Sequence, residues 1–103
     1  MATVSVVGKR LKEARLRAGI SQKQLGIRAG MDEFTASPRI NQYERGKHLP
    51  DLDTAKRLAD ALNIPMAYLY CPEDDLAEIL ISAHELPAKK RGKILDVINQ
   101  AGT

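Results

Sequence analysis

Cysteine is nearly absent. The single Cys71 has no partner for an internal disulfide, which excludes a stapled secreted scaffold and suits a reducing cytoplasm. Long apolar runs are missing too. The longest, Met66–Cys71, has six residues, against about 20 for a membrane-spanning helix. The N-terminus shows no basic start followed by an apolar stretch, so no secretory leader is expected. The two histidines, His48 and His84, lie 36 positions apart and with one cysteine match no zinc spacing. No phosphate-cradling G-x-x-x-x-G-K-[ST], no G-x-S-x-G and no H-E-x-x-H occurs. No catalytic residue, metal ligand or cofactor is therefore assigned, and an enzyme is not expected.

The 103 residues suffice for one domain with one core. The net charge of +3 hides a division along the chain. Residues 1–50 carry +6, residues 51–88 carry −6 and residues 89–103 carry +3. A basic half beside an acidic stretch makes a polyanion a natural partner for the first.

Apolar residues recur at helical spacing, and strand signals are almost lacking. Val7, Leu11, Ala14 and Ala18 mark a first helix ending before Gly19. Ser21 and Gln24 form an S-x-x-Q capping box, with Ile20 and Leu25 as its hydrophobic staple. A second helix is predicted over Gln22–Ala29. Met31–Ala36 shows no periodicity. Ser37 then reads as an N-cap with Pro38 at the first helical position, predicting a third helix over Pro38–Arg45. A start at Asp32 would place the proline inside, at about 3 kcal/mol. Asp51 caps a fourth helix with the stripe Leu52, Ala55, Leu58, Ala59 and Leu62, ended by Asn63. Pro65 opens a short fifth helix with Met66 and Leu69. Tyr68 and Tyr70 read as core and rim, and Cys71 as a packed residue. Two tail helices follow. Asp75–Glu85 presents Leu76, Ile79, Leu80 and Ala83, and Lys89–Ala101 presents Ile94, Val97, Ile98 and Ala101.

Helix, tight turn, helix within an all-helical core is the informative unit. From Gly8 to Leu69 the chain resembles the Cro/C1-type (XRE-family) helix-turn-helix domain, a lambda-repressor-like fold. The likeness rests on Leu11-Lys12-x-Ala14-Arg15, Gly19-Ile20-Ser21-Gln22-x-x-Leu25, Ala29-Gly30, Ile40-x-x-Tyr43-Glu44-Arg45-Gly46, Pro50 and Leu58-Ala59-x-Ala61-Leu62-x-Ile64. It implies an all-α, five-helix DNA-binding domain, placed over residues 1–71, and the tail periodicity adds a two-helix extension over 72–103. It also implies that Gln22 lies against the DNA backbone and that Arg15 pairs with Glu44 between the first and third helices. Three departures stand out. About four extra residues fall within Met31–Ala36. Gly26 replaces the usual alanine where the second and third helices cross. Pro38 sits early in the recognition helix.

Helical geometry sorts the third helix independently. Ile40, Tyr43 and Glu44 fall toward the core, while Arg39, Asn41, Gln42 and Arg45 fall on the other faces. Arg matches guanine, and Asn or Gln matches adenine. Gln42 is the leading candidate base reader, followed by Arg39 and Asn41, with Ser37 at the helix start. Gln22, Lys23, Arg45 and Lys47 are candidate phosphate contacts, and His48 an exposed loop residue beside them.

One such module reads few base pairs, so a two-fold dimer is expected, with residues 72–103 as a possible pairing element. The sequence thus predicts a cytoplasmic, sequence-specific double-stranded DNA-binding regulator, a homodimeric repressor without membrane contact. The alternative is a protein-interaction or adaptor module that uses the same fold and binds a protein partner through the C-terminal helices, as an antitoxin would.

Overall fold

In a computed structural model the described residues are 2–103, with side chains from Val6 onward. They form six α-helices and one 3-10 turn, with no strand among them. The helices are α1 (Ala2–Ala18), α2 (Gln22–Arg28), α3 (Ala36–Glu44), α4 (Leu52–Leu62), α5 (Asp74–His84) and α6 (Ala88–Ala101).

The core is built from short apolar contributions by every element except α6. Leu11, Leu25, Ile40, Leu58 and Leu69 are fully buried at its centre. Ala77 and Ile81 of α5 join the same cluster. Two glycines let the helices come this close. A Cβ on Gly26 would stand 2.5 Å from the Cβ of Ala36, so α2 and α3 touch there through backbone. A Cβ on Gly8 would lie 2.5 Å from the Glu44 carbonyl oxygen, where α1 crosses the end of α3.

Local chemistry fixes several boundaries. The Gln24 amide donates to Ser21 Oγ (3.0 Å) and the Ser21 amide to Gln24 Oε1 (2.9 Å), which closes both halves of the capping box. The Thr54 amide donates to Asp51 Oδ1 at 2.8 Å, capping α4. Asn63 ends that helix in the left-handed region, at φ 54°.

Four expectations are corrected. First, α3 begins at Ala36, so Ser37 lies inside its first turn and is not the cap. Asp32 starts a turn that feeds the helix directly. Its Oδ2 accepts the Phe34 amide (2.9 Å) and its carbonyl the Thr35 amide (3.1 Å). Pro38 is then the third helical residue, where no intrahelical N–H bond is lost, so the interior-proline cost does not arise. Second, Leu52 is 67% exposed. It shares the angular face of Ala55 and Leu58 but lies in the first turn, where nothing covers it. Third, Met66–Tyr70 is a 3-10 turn. So short a piece between Pro65 and the Cys71-Pro72 break closes with tighter i→i+3 bonds, the Tyr68 amide to Pro65 O at 3.0 Å and the Cys71 amide to Tyr68 O at 3.2 Å. Fourth, α5 turns Ala77 and Ile81 inward, while Leu76 and Ile79 of the expected face stay about half exposed.

Arg10 explains how α5 is oriented. Its side chain is buried, and its position three residues after Val7 places it on the apolar face of α1. Arg10 donates to Cys71 O (2.8 Å), Pro72 O (3.1 Å), Glu13 Oε1 (2.9 Å) and Asp74 Oδ1 (2.9 Å). It also lies over the Tyr68 ring, 5.7 Å from the centroid. Burial lowers its proton affinity, but the Glu13 and Asp74 carboxylates outweigh that, so its pKa is raised. Arg17 adds an exposed bond to Glu78 at 3.0 Å.

Helix α6 has no buried residue. The molecule measures 51 × 29 × 22 Å, with a radius of gyration of 14.9 Å, against about 13 Å for a compact chain of this size. It exposes 6671 Å², about 900 Å² more than a compact monomer of its mass.

Candidate nucleic-acid interface

Helix α3 is held from below by one buried ion pair. Arg15 Nε donates to Glu44 Oε2 at 2.6 Å and Nη2 to Oε1 at 3.0 Å, a bidentate pair joining α1 to α3. The side chains are 11% and 3% exposed. The hydrogen bond to Glu44, followed by burial acting the other way, leaves the Arg15 pKa raised. The third corner of the guanidinium donates to Ile20 O at 3.0 Å, which ties the turn before α2 into the same joint.

Gln22 extends this joint to the outer surface. Its Nε2 donates to Glu44 Oε1 (3.1 Å) and Asn41 Oδ1 (3.2 Å), and its Oε1 accepts a long bond from Ser37 Oγ (3.5 Å). Both Nε2 hydrogens of Gln22 are thus used within the protein. Asn41 is half-buried, with its oxygen engaged and its Nδ2 hydrogens directed to no protein acceptor among the described bonds. Gln22, Ser37, Asn41 and Glu44 therefore act as one unit that sets how α2 and α3 meet.

The remaining candidates stand free of it. Arg39 and Gln42 of α3 are exposed, as are its C-cap Arg45, Lys23 and Lys47. Arg39 Nη2 donates to Tyr43 Oη at 3.2 Å, which aligns the guanidinium along the helix. The Lys47 and His48 amides both reach Gln42 O, at 2.9 and 3.3 Å, folding the following loop against the last turn of α3. Arg39, Gln42, His48, Leu49 and Asp51 line a shallow depression there. Asp51 sits below its usual pKa, chiefly because it accepts the Thr54 amide, with a smaller contribution from Arg39. None of Lys23, Arg39, Arg45 or Lys47 forms a salt bridge among the described residues. These cations face solvent, an arrangement that attracts phosphate.

Sequence reasoning passed over two residues. Arg10 was legible as the polar member of an apolar stripe. Phe34, the one phenylalanine in the chain, is 83% exposed in the turn before α3; an aperiodic segment gave no sign of its direction.

Residues 11–69 match the family model described as Helix-turn-helix, more than half of the chain. The chain belongs to the Cro/C1-type helix-turn-helix family of DNA-binding transcription regulators. This is not an enzyme family. Among curated relatives, the chain is similar to the HTH-type transcriptional regulator ImmR of Bacillus subtilis (strain 168), with 36% identity over 63 residues. That match covers 61% of this chain and 46% of ImmR, so the chain spans about half the length of this relative. Among solved structures, it is similar to the crystal structure of transcriptional regulator BswR, at 54% identity and a TM-score of 0.85. That likeness covers 90% of this chain and 92% of the other. No helix of the described residues is long and apolar enough to cross a membrane.

Proposed function

We propose that this helix-turn-helix protein is a cytoplasmic, sequence-specific regulator that binds double-stranded DNA as a homodimer and represses by occupying an operator. The observation that carries the reading is the outer face of α3. It presents Arg39 and Gln42 to solvent beside Asn41, on a helix whose pose is fixed by the buried Arg15–Glu44 pair. Laid in the major groove, this face reads bases through Gln42, Arg39, Asn41 and Ser37. Because Asn41 Oδ1 is bound by Gln22, Asn41 acts there as a donor. Gln22 through its backbone amide at the start of α2, Lys23 beside it, and Arg45 and Lys47 after α3 contact the flanking phosphates.

Residues 72–103 serve as the pairing element, with α5 anchored and α6 as a free arm. Leu95, Val97 and Ile98 of α6 are exposed, and Ile79, Ala83 and Ile94 floor a groove between α5 and α6 with Asp75 and Glu78 on its rim. The excess exposed area of about 900 Å² matches the ~800 Å² that each partner buries in a standard interface.

The same apolar face favours a second reading, an adaptor that binds another protein through its tail. Selection of bound duplexes from a random library, with affinity followed against salt, separates the two. A two-fold consensus with half-sites about one helical turn apart supports the dimeric reader. No binding at low salt overturns it and leaves the adaptor.

A further inference from the structure

The inserted segment before α3 carries an outward-facing phenylalanine, Phe34. The segment is pinned at both ends. The Met31 amide donates to Gly26 O at 2.9 Å, and Ala36 is fully buried against Gly26. Between these anchors Asp32 accepts the amides of Phe34 and Thr35, and the Arg39 amide in turn reaches Thr35 O at 3.1 Å. The turn therefore runs into the helix with the helix's own hand. Phe34 in the turn, Pro38 and Asn41 in α3 and Arg45 at its C-cap then follow one another at i, i+4, i+7 and i+11, a single stripe that continues the turn along α3. Phe34 is its leading member and, at 83% exposure, has nothing in its own chain to pack on.

We propose that Phe34 is a specificity-determining residue that packs on the 5-methyl group of one thymine per half-site in the major groove. This rests on the reading of α3 as the base-reading helix. Three observations favour the base edge over the sugar-phosphate backbone. Phe34 lies on the side of α3 that carries the base-reading candidate Asn41, just before the N-terminus of the helix that enters the groove. Its neighbours Asp32 and Glu33 are exposed carboxylates, which phosphates repel. The thymine methyl is the one apolar group the major groove displays, and a phenyl ring is a suitable partner for it.

The test uses full-length protein and the duplex selected by wild type. Each thymine of a half-site is replaced in turn by deoxyuridine, which removes only the methyl group. The expected result is a loss of roughly three- to tenfold in wild-type affinity at one position per half-site, the scale of one buried methyl. Phe34→Ala, which removes a solvent-exposed side chain and keeps the wild-type melting midpoint, binds the unmodified duplex more weakly by a similar factor. It is then indifferent to deoxyuridine at that position. Phe34→Leu retains part of the sensitivity. Wild type insensitive to every replacement, a half-site without thymine, or Phe34→Ala that keeps the sensitivity each overturns the proposal while the base-reading role of α3 stands. Equal weakening of Phe34→Ala on all sequences overturns it in favour of backbone packing. Absence of any sequence-selective binding by wild type overturns the base-reading helix and this proposal together.

Discussion

Replacing Glu44 with alanine isolates the joint on which the outer face of α3 rests. The substitution removes both acceptors of Arg15, at 2.6 and 3.0 Å, and one acceptor of Gln22 at 3.1 Å. The guanidinium keeps only its bond to Ile20 O and stays almost wholly enclosed. A buried charge that loses its partner costs about 3–5 kcal/mol, a large share of the roughly 5–15 kcal/mol that holds such a domain folded. At about 4–8 °C per kcal/mol for a domain of this size, the melting midpoint falls by at least about 12 °C. Thermal and urea unfolding followed by circular dichroism give the value. Replacing both partners, Arg15→Met with Glu44→Leu, removes the stranded charge and recovers most of the loss. Below the new midpoint, Glu44→Ala binds more weakly because Gln22 and Asn41 lose their brace, yet prefers the same bases. The reasoning is refuted if the single substitution costs less than about 1 kcal/mol or if the double variant is no more stable than the single.

Lys47→Ala weakens binding to all duplexes alike and lowers the slope of log affinity against log salt by about 1; a loss confined to one sequence contradicts the phosphate role. Removing residues 86–103 leaves Ala77 and Ile81 in the core and, on this account, gives a folded monomer by equilibrium sedimentation; an unchanged dimer removes α6 from the interface. Asp74 is held below its usual carboxyl value of 3.8, chiefly by its bond to Arg10 and then by Lys9. A depressed value contributes stability that is present above 3.8 and lost as pH falls through the lower folded value. The gap in melting midpoint between wild type and Asp74→Asn therefore holds from about pH 7 to pH 5 and narrows only below the usual carboxyl value. A gap that closed in the neutral range contradicts the Arg10–Asp74 bond.

What could be read from the sequence was chemistry satisfied within one turn. Ser21 with Gln24, and Asp51 with Thr54, bond to backbone three residues away, so their spacing alone predicts the helix starts. The third helix misled because two short-range signals competed. Ser37-Pro38 has the composition of a helix start, but Asp32 opened the turn earlier and left Pro38 at a position with no bond to lose. The face of α5 was not legible because the helix is apolar on more than half of its circumference. Arg10 and Arg17 on α1, binding Asp74 and Glu78, choose which side turns inward. At the candidate interface, residue types and spacing located the outer face of α3. They did not show that Gln22 spends both side-chain hydrogens on Asn41 and Glu44, or that Phe34 points outward, since both depend on how helices meet.

Parallel selection of duplexes by wild type and Gln42→Ala tests the central claim, that the outer face of α3 reads sequence. The account predicts a two-fold consensus for wild type and, for the variant, the same consensus relaxed at one base pair in each half-site, by about 1–3 kcal/mol. Identical consensus profiles for the two proteins contradict it.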